Sequence, residues 1–283
     1  MENEKKINWF PGHMAKAMRK TAEDVKLCDG VVYVLDARAP YACLNGELMK
    51  VFGGRPIVYA LNKSDLITPA AASAIVADFR AKGLVIEHID GLLKKDAERL
   101  KSACKQVLRE KTERDKAKGI TRTLRFMVAG VPNTGKSTII NTLCGGKKAE
   151  TGNKAGVTRA NKWIRLGGFD LLDTPGTMPP SMENQVYATH LALIGSINDD
   201  ILDLGDLALK LIGEVRKTAA KELYDRYKIE NTEASDLGVF GEICKRRGFM
   251  LKGGEEDYDR CARTLIDDFR KGRMGKICLE IRP

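Results

Sequence analysis

The sequence predicts an α/β fold, a mainly parallel, doubly wound sheet, followed by a smaller all-helical domain. Three observations carry this. First, short and nearly continuous apolar runs at residues 30–36 (GVVYVLD), 56–61 (PIVYAL) and 124–130 (LRFMVAG) suit strands covered on both faces. Second, the intervals between them carry polar and apolar residues at helical spacing. Third, strand signals stop after Pro179-Pro180, while helical patterns continue through Arg273.

In chain order, the pattern predicts a helix over 14–28, the strand at 30–36, the strand at 56–61, a helix over 69–82 and a strand within 85–91 (VIEHIDG). One helix is then expected over 92–111, followed by the strand at 124–130 and a helix opening at 137–143 (STIINTL). Residues 161–166 (NKWIRL) alternate and read as an edge strand; 169–173 (FDLLD) form a short buried one. A boundary is placed near 180, giving residues 1–180 and 181–283 as the two domains. Sheets of this kind bind ligands at the carboxyl ends of their strands.

Composition bounds the partner rather than the fold. The 283 residues carry 43% hydrophobic side chains and a formal net charge of +10, which favours a polyanion: RNA, DNA or an acidic membrane surface. Residues 91–125 hold 12 Lys/Arg against 5 Asp/Glu, and residues 1–20 hold five against two. A single run of this kind is equally a solvated helix face. Seven cysteines without a C-x-x-C pair, beside three histidines, argue against zinc and against a disulfide framework, and fit reduced thiols in a cytoplasmic protein. The N-terminus lacks a long apolar signal core, and no run of about 18 apolar residues follows. The expectation is a non-secreted chain without a membrane association.

The chemistry is concentrated in a few motifs. Residues 130–137 (GVPNTGKS) match G-x-x-x-x-G-K-[ST] between a buried strand and a helix. Such a loop turns backbone N–H groups of residues such as Thr134, Gly135 and Thr138 toward phosphates, aided by the helix N-terminus. Lys136 reaches the outer phosphates, and Ser137 offers a hydroxyl to magnesium. Asp173-Thr-Pro-Gly176 closes a strand 37 residues after Lys136. There Asp173 would hold magnesium and the Gly176 N–H would sense a γ-phosphate. Between them, Thr158 is the candidate for completing the magnesium shell, with Thr151 as competitor.

Asn62-Lys63-Ser64-Asp65 follows the strand at 56–61. In N-K-x-D the aspartate accepts from guanine N1–H and the exocyclic amine together. Adenine lacks that donor pair, which costs on the order of 1–3 kcal/mol. Asn62 braces the loop and the base, and the Lys63 stem lies along the ring. GTP/GDP is therefore the expected ligand, and an ATPase is disfavoured. The order is permuted: N-K-x-D precedes the phosphate loop. Because domain termini often lie close together, such a permutation can preserve the sheet. It also makes the segment after Asp173 lead directly into the helical domain, so that a nucleotide switch is expected to reorient that domain.

The permuted order, Trp9-Phe-Pro-Gly-His13-Met, Asp36-Ala-Arg-Ala-Pro40, Asn62-Lys-Ser-Asp65 and the loop at 130–138 resemble the circularly permuted P-loop GTPases of ribosome assembly, most closely the ribosome biogenesis GTPase A family. The likeness continues through Asp199-Asp-Ile-Leu-Asp203, Lys245-Arg-Arg-Gly248 and Leu251-Lys-Gly-Gly254, and so covers nearly the whole chain. It implies GTP hydrolysis, slow alone and accelerated on the particle, and action in late assembly of the large ribosomal subunit. It further implies a ribosome-associated monomer with the subunit precursor and its rRNA as partners.

Where many GTPases place a water-orienting glutamine, this chain has Thr177. The resemblance points to His13 instead, whose other reading is a helix-start or RNA-contacting residue. It also associates Asn133 with potassium activation, the ion supplying positive charge in the site. Asp90-Gly91 occupies the position of the remaining base-contacting motif, with an atypical acidic residue. Trp9 and Phe10 are candidates for stacking on RNA or for burial; Lys245, Arg246, Arg247 and Lys252 are candidate phosphate contacts. A second reading stays open: a nucleotide-gated RNA-binding module whose turnover is incidental.

Overall fold

Each apolar run in the first 173 residues becomes a strand of one sheet. The computed structural model describes residues 7, 12–89, 94–144, 162–166, 169–178 and 183–280, apart from the side chains of residues 12–15, 94 and 162. The strands are β1 (Gly30–Asp36), β2 (Ile57–Asn62), β3 (Val85–His88), β4 (Leu124–Ala129), β5 (Lys162–Arg165) and β6 (Phe169–Asp173). Their order is β3-β2-β1-β4-β6-β5. All neighbours run parallel except β5, which lies antiparallel on β6 at the edge. The alternation in β5 is that of an edge: Ile164 is buried while Trp163 and Arg165 are exposed.

The helices are α1 (Gly12–Asp24), α2 (Gly46–Val51), α3 (Pro69–Ala81), α4 (Lys94–Val107), α5 (Arg109–Ala117), α6 (Lys136–Leu143), α7 (Gln185–Leu193), α8 (Leu204–Thr218), α9 (Ala220–Tyr227), α10 (Asp236–Arg246) and α11 (Tyr258–Arg270). Several starts are written in the sequence as side-chain caps. Thr68, Asn184, Asp203, Ser235 and Asp257 each accept a backbone N–H from the first turn that follows.

One expectation fails. The single helix foreseen over 92–111 is two, broken at Leu108, which is buried at φ −105° and ψ 10°. The reason is a change of surroundings. α4 buries Ala97, Leu100, Ala103 and Cys104 against the sheet, whereas no residue of α5 is buried. Leu108 is the last anchor of that apolar stripe, and the chain turns there so that a wholly polar helix can face water.

Side-chain alternation along the strands divides the core into two layers. Val32, Val34, Val58, Ala60 and Val128 pack with residues of α4 and α6. Val31, Tyr33, Leu35, Tyr59, Leu61 and Met127 belong to a second cluster that continues without interruption into α7, α8, α10 and α11. The proposed boundary near 180 falls among residues 179–182, outside the described ones. Beyond it the regular structure of the described residues is helical, apart from a single bridge between Met250 and Glu256. None of the described helices is long and apolar enough to cross a membrane.

The last described residues return to the sheet. Ile277 N–H donates to Leu66 O and Leu279 N–H to Arg38 O. The Glu280 carboxylate accepts from Tyr41 N (2.6 Å) and Ala42 N (3.0 Å) and meets His190 Nδ1 at 2.9 Å. These groups are buried, so losing the carboxylate strands two amide donors. Glu280→Ala should lower unfolding stability by about 2–3 kcal/mol, measured by urea denaturation; an unchanged midpoint would show that the tail contributes nothing to the fold.

Candidate functional site

The topology singles out one place on the sheet. From β1 the chain winds outward through β2 and β3; from β4 it winds the other way to β6 and β5. The crevice at the carboxyl ends of β1 and β4 is therefore the switch point of a doubly wound sheet. Residues 130–137 fill it, running from the end of β4 into the first turn of α6.

The loop is held by its carbonyls. Gly130 O accepts from Thr177 N at 3.3 Å and from Lys136 Nζ at 3.2 Å. Val131 O accepts from Thr134 Oγ1 and from Lys136 Nζ. Ser196 Oγ donates to Pro132 O at 2.7 Å. Lys63 Nζ donates to Asn133 O and Asn62 Nδ2 to Thr134 O, both at 2.7 Å. Loops of this class hold their carbonyls in this way and use their N–H groups as a concave anion-binding face. Gly135 adopts φ 92°, and a Cβ there would stand 2.1 Å from Asn62 Nδ2, so the N-K-x-D motif and the loop approach as closely as a glycine allows.

Asn62 ends β2 beside Asp36 at the end of β1. Lys63 takes the left-handed conformation (φ 58°) and its ammonium meets Asp36 Oδ2 at 2.9 Å. Asp36 is fully buried and also binds Arg38 through both carboxylate oxygens. Burial alone would raise the Asp36 pKa, but the charges and hydrogen bonds of Arg38 and Lys63 outweigh it and hold the carboxyl far below its ordinary range. Ser64 and Asp65 form a short 3-10 turn, with Asp65 exposed.

Asp173 ends β6 opposite Val128 and is 5% exposed. Ser137 lies in the first turn of α6. Gly176 is packed against the loop: a Cβ would stand 2.7 Å from Pro132 Cα and 2.9 Å from Lys136 Nζ. Thr177, in the place of the missing glutamine, is buried at 2% exposure. Thr134 and Thr138 flank Gly135–Ser137 within the same turn. Asn133 has φ 61°, a conformation asparagine tolerates better than most residues, and its amide donates to Gly195 O at 2.5 Å.

Thr158, Thr151, Asp90, Gly91, Trp9 and Phe10 lie outside the described residues, and His13 is placed in the first turn of α1 without a described side chain. Lys245, Arg246 and Arg247 form intramolecular ion pairs with Glu256, with Glu230 and Glu242, and with Asp268 respectively. Sequence reasoning assigned no role to Asp36, Arg38, Gly195 or Ser196. For Asp36 and Arg38 the available signal was an ionisable pair closing a run of wholly buried residues.

A phosphate loop at the switch point, an N-K-x-D turn hydrogen-bonded to it from the preceding half of the chain, and D-x-x-G on the adjoining strand define a circularly permuted P-loop GTPase. A family profile described as "50S ribosome-binding GTPase" matches residues 125–234. The chain is 36% identical to Ribosome biogenesis GTPase A of Bacillus cereus over 276 residues, spanning 97% of this chain and 93% of that protein. It is 30% identical to the protein of the same name from Thermotoga maritima, over 97% and 94% of the two chains. GDP-bound TM YlqF superposes with a TM-score of 0.67 at 25% identity, covering 94% of this chain and 99% of the other. GNP-bound YlqF from T. maritima superposes with a TM-score of 0.65. The chain belongs to the ribosome biogenesis GTPase A family and is a GTP-hydrolysing enzyme of ribosome biogenesis.

Lys136 gives the site a pH dependence. Burial lowers its pKa to about 8, against the pull of Asp173, which raises it. Bound phosphates favour the charged ammonium, so the complex holds the proton more tightly than the free protein. Affinity for GDP should be flat below pH 7 and fall about tenfold between pH 7 and 9 as the free protein loses that proton. The nucleotide-free fold should have the opposite slope: with the folded-state pKa lowered to about 8, the unfolded chain binds more protons between about 8 and 10.5, so stability should rise through that window. Titration with fluorescent GDP checks the first slope; a flat wild-type profile, or the same slope in Lys136→Met, would reject the assignment.

Proposed function

We propose that this GTPase acts in late assembly of the large ribosomal subunit, docking on pre-ribosomal RNA in its GTP state and leaving on hydrolysis. The observation that supports it most is the direct hydrogen bonding of the phosphate loop to the segment that follows α7, which gives nucleotide occupancy a physical route to the helical region, residues 181–283. The relatives' shared name and the basic composition support the ribosomal partner.

In this reading Asp65 selects guanine, with Asn62, Lys63 and the Ser64 backbone holding the turn. Asp90 and Gly91 are the remaining proposed base contacts. Backbone N–H groups of residues 133–138 and the Lys136 ammonium bind the phosphates, and the Gly176 N–H responds to the γ-phosphate. The donor set fits a magnesium ion: a hydroxyl at a helix start and a buried carboxylate are hard oxygen ligands. Ser137, Asp173 and Thr158 would hold it, and the ion supplies charge neutralisation on the phosphates when bound. Thr177 is buried and lacks the amide of a glutamine, which supports His13 in that role. Asn133 is proposed as a potassium ligand, although its left-handed backbone is an independent reason for an asparagine there.

For RNA, three of the four C-terminal basic candidates are already paired within the chain, so their phosphate contacts would compete with internal carboxylates. Lys252, in an exposed turn, and the exposed Arg114 and Lys116 of α5 are the better-placed cations.

GTP hydrolysis measured with and without purified large ribosomal subunits, in potassium and in sodium, tests the proposal. The particle should accelerate turnover by roughly one to several orders of magnitude, with loss in sodium, and His13→Ala should remove about a hundredfold. Particle binding that depends on nucleotide but leaves turnover unchanged would favour the nucleotide-gated RNA-binding module, the reading consistent with a buried Thr177. Separately, Asp65→Asn should weaken GTP binding by about 1–3 kcal/mol and relax discrimination against ATP. Intact guanine selectivity in a competition assay would refute the role of Asp65.

A further inference from the structure

The phosphate loop presents three consecutive carbonyls, at Pro132, Asn133 and Thr134, to side-chain donors. The N-K-x-D turn supplies two of the donors, Lys63 and Asn62. The third, Ser196, comes from the other end of the chain. Its position is tightly determined. α7 closes in a Schellman motif: Gly195, at φ 81°, donates its N–H to Ala192 O, and Ser196 N–H reaches back to Leu191 O. That motif fixes Ser196 two residues beyond the helix cap Ile194. Ser196 is 1% exposed. The preceding carbonyl, Gly195 O, accepts the Asn133 amide, so the two chain segments are joined at two adjacent points.

The motif is itself held from α11. Arg270 donates to Leu193 O and Ala192 O and forms two hydrogen bonds with the Asp199 carboxylate. The Arg270 carbonyl accepts from Arg38 NH1, Arg38 binds Asp36, and Asp36 binds Lys63. Lys63 returns to Asn133 O. The polar contacts thus make a closed circuit through the phosphate loop, the base-reading turn, α11 and the end of α7.

We infer that Ser196 is a positioning residue for nucleotide binding, acting through Pro132 to hold the phosphate loop in its anion-accepting shape and coupling the loop to the helical region. Without its hydroxyl, a buried carbonyl at the loop's apex loses its donor, and the peptide between Pro132 and Asn133 is freed to rotate. Coupling is reciprocal: if this contact favours bound nucleotide, then bound nucleotide must strengthen the end of α7. The inference rests on residues 130–137 being the phosphate loop, which Lys136→Ala tests by itself.

Ser196→Ala in the full-length protein removes one oxygen and creates little strain. Release of fluorescent GDP, followed by stopped flow, should become roughly three- to tenfold faster. Affinity for guanosine, which has no phosphate to meet the loop, should stay unchanged. Hydrogen exchange should show that GDP protects the amides at 194–196 in the wild type and protects them less in Ser196→Ala. Unaltered GDP release in Ser196→Ala, alongside lost GDP binding in Lys136→Ala, would overturn the positioning role while leaving the loop intact. An equal loss for guanosine and GDP would also overturn it, since that pattern marks general damage. Retained GDP binding in Lys136→Ala would instead remove the loop assignment on which the inference stands.

Discussion

A loop that offers N–H groups to a phosphate must turn its carbonyls away, and a buried carbonyl requires a donor. That requirement organises this molecule. From Gly130 to Thr134 each carbonyl has one, and the donors include Lys136 and Thr134 within the loop, Thr177 after β6, Asn62 at the end of β2 with Lys63 after it, and Ser196 after α7. The loop's conformation is therefore not a local property of G-x-x-x-x-G-K-S. It is completed only when β2, β6 and α7 have been brought to the same end of the sheet. Burial reinforces this dependence, because it makes the bonds costly to lose and depresses the Lys136 ammonium until an anion arrives.

Seen this way, the permuted chain order has little effect on the site itself. What the site needs is β2 two strands from β4 and β6 next to it, in parallel register, and the sheet order provides that whichever strand comes first in sequence. Permutation changes the attachments instead. The strand that ends in Asp173 now leads into the helical region, and Glu280, the last described residue, returns to Tyr41 and Ala42. The Arg38–Asp36 pair sits where these attachments meet. Its charges are both buried and mutually compensated, an arrangement that suits registration better than net stabilisation.

Much of this was legible in the sequence, and the physical reason is locality. Fully buried parallel strands read as apolar runs, and the phosphate loop and N-K-x-D each fit within eight residues, so their spacing survives inspection of a single chain. The edge character of β5 followed from its alternation. By contrast, the break at Leu108 depends on where α4 leaves the sheet, which helical periodicity does not record. Asp36 with Lys63, Arg38 with Arg270, Glu280 with Tyr41 and Ser196 with Pro132 join residues whose separation in sequence carries no signal. The basic residues at 245–247 read as an anion-binding cluster, but their partners at Glu230, Glu242, Glu256 and Asp268 are supplied by folding.

The expectation that a nucleotide switch reorients the helical domain meets an energetic limit. One apolar cluster runs from the sheet through Leu191, Leu193, Leu211, Leu265 and Phe269, and Leu66 packs where a Cβ on Gly272 would stand 2.7 Å away. Exposing buried side chains of this size costs about 1.5–3 kcal/mol each. Driving a two-state change nearly to completion requires only about 5.5 kcal/mol of differential affinity. Uncovering even a handful of these residues would cost more than that. On this energy scale, a rearrangement of the polar clamps around the loop costs less than any motion that opens the shared core.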